Sequence, residues 1–241
     1  MGGGVRLILA HAGDPVALAL AGCRATGPAL LLTPADLATP GWCYRPGAVA
    51  DSVAVAGGRR FRGREIGGVL VRMVCVAERD LPQIAPDDRA YVAAEMQAML
   101  VAWLDKLPCP VLNRPTPLCL SGPFWRHEQW VHLAASLGLP IHPTSRAAGG
   151  PAAPLPPPAR GATTITIVGD AAIGGGEATL IDRAHALATA AGVDLLAVAF
   201  DAAESGRRFL GASPWPDVTA PAVAEAVDRY LDGRGVIRAR W

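Results

Sequence analysis

Asp201 closes the apolar run LLAVAFD, and RRFLGASPWPD soon supplies a second short apolar run, Phe209 and Leu210, that enters a rigid turn built on Pro214 and Pro216. The short turn AAESG between them lets the two runs pair as strands, which places Asp201 near Gly211 and Ser213. Adjacent strands bearing acids and amides are a standard way to hold Mg²⁺, an ion that takes oxygen ligands. The other reading, that Asp201 only starts a turn, stays open on the pattern alone. WRHEQWVH contains His127, Glu128 and His132, but the histidines are five apart and not four, so they diverge around a helix and do not face one zinc ion. VGDAAIGGGE is a glycine-rich stretch between a strand and a helix whose amides could cradle a phosphate. It has neither the lysine and hydroxyl of a P-loop nor the spacing of a dinucleotide site, and a plain turn explains it as well. Ser121 in CLSGP has no glycine two positions before it and is not a nucleophile elbow.

The elements that position these residues alternate between strand and helix. Val5 to Ala10 reads as a strand, Asp14 opens a helix from Val16 to Arg24, and ALLLT follows as a buried strand. DSVAVAGGRRFRG reads as a hairpin turning at Gly57 and Gly58, and GGVLVRMVCV as a strand ending near Arg72. DDRAYVAAEMQAMLVAWLDKL predicts the clearest helix, capped by Asp87 or Asp88, with Tyr91, Met96, Met99, Leu100, Trp103 and Leu104 on its apolar face. A short strand in PCPVLNRP precedes a helix over GPFWRHEQWVHLAASLG with Pro123 in its first turn, and LPIHPT is extended because each residue before a proline leaves helical space. After Ser145 to Ala162, too rich in Pro, Gly and Ala to pack, come strand TTITIVG, helix GEATLIDRAHALATAAG, strands VDLLAVAFD and RRFLGAS, and helix TAPAVAEAVDRYLDG. VIRARW reads as a short edge strand. The alternation predicts an α/β or α+β protein.

Composition narrows the chemistry. The 241 residues, 51% hydrophobic, suffice for one large domain or two small ones. A formal charge of +1 gives no field for nucleic acid, and no apolar run approaches the roughly 18 residues of a membrane span. Lys106 is the single lysine, so any lysine-dependent chemistry has one candidate. Cys23, Cys43, Cys75, Cys109 and Cys119 fall at no metal-ligand spacing and read as reduced, mostly buried thiols of a cytoplasmic protein. The N-terminal apolar stretch is too short for a signal peptide.

In this order the pieces resemble the ATP-grasp superfamily of carboxylate-amine ligases, in the glutathione-synthetase-like branch that includes peptide ligases. The stretch from Glu95 to Thr144, with Asn113, Pro115 and the exit GLPIHPT, is similar to the family's pre-ATP-grasp region; TITIVGDAAIG is similar to its nucleotide-binding strand pair. VAFDAAESGRRFLGASPWPD is similar to the closing motif in which Asp, Glu and Asn hold the magnesium ions that bridge the ATP phosphates. The resemblance places Asp201 at the Asp, Gly211 at the Glu and Ser213 at the Asn, so two of three ligands are lost or weakened. Between the exit and the nucleotide strands the family carries a subdomain with a lysine on the phosphates; here that interval is residues 145–162, and no lysine follows Lys106.

The resemblance therefore implies a pre-ATP-grasp-like α/β domain over residues 1–144, a linker over 145–162 and a reduced ATP-grasp-like domain over 163–241. Its implied function is that of a degenerate scaffold with no catalytic residue and no cofactor, which binds a protein partner, a second copy, a peptide or a small carboxylate, with no nucleic acid or membrane partner. The competing expectation is a minimal ATP- and Mg²⁺-dependent ligase built on Asp201.

Overall fold

A computed structural model describes residues 4–22, 29–142, 162–201 and 207–233. The chain forms two compact units: Met1–Phe124 with Asp217–Trp241, and Trp125–Pro216.

The first unit is built on four parallel strands in the order β2-β1-β5-β6: β1 (Val5–Leu9), β2 (Ala29–Leu32), β5 (Ile66–Val71) and β6 (Val111–Leu112). Strands covered on both faces need mostly apolar side chains, which is why ALLL and IGGVLV are not alternating and VRLIL is interrupted only by Arg6. The hairpin β3 (Val53–Ala56) and β4 (Arg59–Arg62) forms a separate two-stranded sheet. Helix α1 (Pro15–Gly22) follows Asp14, whose Oδ1 accepts the Val16 and Ala17 amides as an N-cap. Helix α2 (Pro34–Leu37) has a capping box between Thr33 and Asp36.

Helix α3 (Arg89–Lys106) buries Ala93, Leu100, Trp103 and Leu104, while Met96 and Met99 are half-buried. Two expectations for it change. A 3-10 turn over Pro86–Asp88 leads into the helix and Asp88 makes no side-chain cap, and Tyr91, placed one position off the apolar stripe, is 68% exposed. Trp103 meets Trp42 edge-on, with ring centroids 5.4 Å apart. At the other end of α3, the guanidinium of Arg114 donates to the carbonyls of Leu104, Asp105, Leu107 and Cys109, satisfying oxygens that a helix end leaves unpaired.

Helix α6 (Pro221–Leu231) belongs to the first unit, although its place in the sequence assigns it to the C-terminal domain. It lies so close to β5 that a Cβ on Gly68 would come within 2.7 Å of the Leu231 carbonyl oxygen. Arg6 of β1 fixes it by bonding Asp228 at 3.0 Å and Asp232 at 2.6 Å.

The second unit carries an antiparallel sheet in the order β10-β9-β7-β8: β7 (Thr163–Val168), β8 (Ala171–Ile173), β9 (Leu195–Phe200) and β10 (Phe209–Ser213). Helices α4 (His127–Ser136) and α5 (Ala178–Ala191) cover one face. There Ile165, Ile167, Leu196, Val198, Phe200 and Phe209 pack with Trp130, Ala134, Leu180 and Leu187. Helix α4 starts at His127, after Pro123 and not around it, and its place in the sequence assigns it to the N-terminal domain, yet it packs on β10 and α5. Helix α5 stops as expected at Gly192, whose φ of 66° is left-handed. The expected linker at 145–162 and the expected strand VIRARW lie outside the described residues, apart from Ala162.

Candidate functional site

The polar centre of the second unit sits where β9 ends. Asp201 continues the β9–β10 ladder, its amide donating to the Arg208 carbonyl at 2.9 Å. The residue is buried and both carboxylate oxygens are engaged: Oδ1 accepts the Arg208 amide at 2.8 Å, and Oδ2 lies 3.0 Å from His142 Nε2. His142 is carried there because the extended segment before it pairs with the edge of β10. Ile141 bridges Phe209 in parallel, and the Phe209 amide donates to the Pro140 carbonyl at 2.8 Å. Asp201 thus joins three pieces of chain. It holds a histidine 59 residues away.

Register places the other two predicted positions. Gly211 pairs with Ala199 and Ser213 with Ala197, and the register shift between Phe209 and Gly211 sets both on the side of the sheet opposite Phe200, with Asp201. They are not directly opposite Asp201, a place Arg208 takes. At roughly 3.3 Å per residue they lie about 7 and about 13 Å along the strand. Along this face run Thr164, Thr166, Ala197 and Ala199, small side chains without charge. Ser213 is turned to its own loop and accepts the Trp215 amide at 3.2 Å. The nearest side chain to a Cβ built on Gly211 is His127, at 3.8 Å.

A magnesium-nucleotide does not fit this donor set. One carboxylate faces a glycine and a serine, its oxygens are satisfied within the protein, and among the described residues no three metal-ligating side chains cluster. His132 is exposed on α4. VGDAAIGGGE proves to be a hairpin followed by a crossover, since Ala171–Ile173 form β8. Gly174 is there for space: with φ of 122°, a Cβ on it would lie 2.3 Å from the Thr164 carbonyl oxygen. Arg207, left-handed at φ 32°, bonds Thr163 Oγ1 at 2.9 Å and Glu177 at 3.5 Å. Ser121 is buried beside Cys119, their heteroatoms 3.4 Å apart.

The first unit holds a polar cluster that sequence reasoning missed, at the carboxyl ends of β1 and β5. Arg72 Nε bonds Asp14 Oδ2 at 3.0 Å, and His11 Nδ1 lies 3.1 Å from Asp80 Oδ1. Burial raises the Asp14 carboxyl, but the Ala17 and Val16 amides and the Arg72 guanidinium outweigh it and hold the group below its ordinary value. The available signal was HAGDP after a strand, where an open parallel sheet places its functional loops. Of the cysteines, Cys109 and Cys119 are buried and Cys43 and Cys75 exposed, so the thiols are evenly divided and not mostly buried, with Cys23 outside the described residues. Burial pushes the Cys109 thiol up to about 11, partly offset by Arg114.

Comparison with known folds places the chain. It has the ATP-grasp fold, as the resemblance of its motifs implied. The macrocyclase MdnC bound with precursor peptide MdnA from Microcystis aeruginosa MRC matches with a TM-score of 0.65 at 13% identity, over 96% of this chain and 100% of that one. A Chryseobacterium gregarium RiPP-associated ATP-grasp ligase in complex with ADP and a leader and core peptide matches with a TM-score of 0.68 at 10% identity, over 98% and 99%. The ATP-grasp ligase PsnB, complexed with a minimal precursor variant, Mg and ADP, matches with a TM-score of 0.61 at 14% identity, over 96% and 98%. No protein-family model matches, and no curated protein is similar in sequence. No helix among the described residues is long and apolar enough to cross a membrane.

Proposed function

We propose that this chain is a degenerate ATP-grasp protein that retains the scaffold and holds a peptide or a partner protein without ligase chemistry. The observation that carries the reading is the state of Asp201, the one carboxylate at the magnesium positions, which bonds His142 and Arg208 while glycine and serine stand at the other two. Phosphoryl transfer depends on cations placed against the phosphate charge; no carboxylate cage for Mg²⁺ forms among the described residues, and the sequence has no lysine beyond Lys106 to supply one. Lys106 itself pairs with Asp105 at the exposed end of α3.

Peptide holding is supported by the solved proteins of the same fold, which carry precursor peptides. The first unit also offers an open groove of about 540 Å³ between residues 76–79 and Ala90, Ala93 and Gln97 of α3, a size suited to a few side chains. The partner is a peptide, a protein or a second copy of the chain, and the unpaired thiols suit the cytoplasm. A minimal ATP-dependent carboxylate-amine ligase is the second reading, favoured by one observation: Asp201, Gly211 and Ser213 keep the shared sheet face that a metal site would need. Calorimetry with Mg²⁺-ATP separates them. The scaffold reading expects no heat of binding, and magnesium-dependent micromolar affinity overturns it.

A further inference from the structure

We infer that His142 occupies, by a hydrogen bond to Asp201, the carboxylate oxygen that a divalent cation would need, and so closes the site against metal. The inference rests on the reading of Asp201 as the retained metal position. Oδ1 accepts the Arg208 amide at 2.8 Å. Oδ2 lies 3.0 Å from His142 Nε2. A cation on Oδ2 sits at about 2.1 Å and must first displace the ring. The imidazole side chain is 46% exposed while the carboxylate side chain is 11% exposed, so the histidine is the outer partner and the aspartate the inner one.

The same contact fastens the segment that carries the ring. Pro140 and Ile141 are bound to β10 through Phe209, and His142 adds the polar end of that attachment. A metal would satisfy Asp201 but not hold this segment; the histidine does both.

The test uses Mn²⁺ as the probe on the full chain, reading paramagnetic broadening of the Phe200, Asp201, Arg208 and Phe209 amides. In the wild type these signals persist at millimolar Mn²⁺; in His142→Ala they broaden at an ion concentration at least tenfold lower. His142→Gln, which keeps an N–H donor, stays near the wild type. A double-mutant cycle of His142→Ala with Asp201→Asn expects a coupling of about fivefold or more in the unfolding constant. Broadening in the wild type equal to that in His142→Ala, or no coupling in the cycle, overturns the inference. Those failures leave the scaffold reading standing, because that reading fails on Mg²⁺-ATP binding by the wild type, a separate measurement.

Discussion

Putting the missing ligands back is the sharpest test of why this scaffold lacks ligase chemistry. In Gly211→Glu the new Cβ meets nothing closer than His127 Nδ1 at 3.8 Å and Cε1 at 3.9 Å, an ordinary contact, so the change in stability stays within about 1 kcal/mol. Ser213→Asn exchanges one acceptor for the Trp215 amide for another. Register sets what the pair can achieve. Gly211 is offset from Asp201 by two residues, about 7 Å, which two leaning carboxylates can span around one ion. Ser213 is offset by four, about 13 Å, outside the same magnesium shell, so its amide serves only a second ion. Yet His142 still holds Asp201, and the phosphates still have no lysine. If each missing electrostatic device costs about 10² in rate, two of them leave turnover about 10⁴ below that of a competent site. The double variant is therefore expected to melt cooperatively near the wild-type temperature and to release no ADP above a protein-free control when given Mg²⁺-ATP and carboxylate or peptide substrates. Magnesium-dependent ADP release that Asp201→Ala abolishes would refute the reasoning, since one restored acid would then have sufficed.

Other expectations follow from the packing and the charges. Burial, together with Asp232 nearby, pushes Asp228 up to about 6 against the pull of Arg6. The folded value lies above the roughly 3.9 of an unfolded aspartate, so this group's stabilising contribution is complete below about pH 4 and is lost as pH rises through 6. Asp228→Asn should therefore gain on the wild type between pH 4 and 7, by about 1 kcal/mol after solvent screening, as read by melting temperature against pH; a loss over that window contradicts the assignment. Gly192→Ala, which forces a side chain into a φ of 66°, should cost about 1 kcal/mol in urea denaturation without altering the slope. Trp103→Ala removes a fully buried ring from the first core and should cost about 3–5 kcal/mol, with loss of near-ultraviolet dichroism from the Trp42 pair. Iodoacetamide should label Cys43 and Cys75 in the native protein, and Cys109 and Cys119 only after unfolding, as mass spectrometry of digests would show.

Local signals were legible where the chain itself enforces them. The apolar runs became strands within a residue or two of their expected bounds, the Gly57–Gly58 hairpin formed, and Gly192 ended α5. Asp201, Gly211 and Ser213 were expected on paired strands, but the register shift between Phe209 and Gly211, which turns the latter two to the side of Asp201, has no signal in the sequence. What could not be read were contacts made at long range. His142 is 59 residues from Asp201 and sits in LPIHPT, where the prolines announce only extension. Nothing in DDRAY distinguishes a capping aspartate from one in a preceding 3-10 turn, because both begin with an acid before a periodic segment. The glycines of VGDAAIGGGE read as a flexible loop, whereas Gly174 is fixed by the Thr164 carbonyl oxygen, a partner that only the folded sheet reveals.

Helix α6 also carries a consequence for the order in which the protein is made. Its anchors are Arg6 and Gly68, near the beginning of the chain, and it arrives only after the whole stretch Trp125–Pro216 has been synthesised. The nascent first sheet therefore leaves the ribosome with the face around Arg6 and Gly68 still uncovered, while the later unit, contiguous in sequence, has everything it needs to fold beforehand. A chain ending before Pro221 and released from the ribosome would carry every strand and helix of the second unit and an incomplete first one, the reverse of the usual sequence of events on a growing chain.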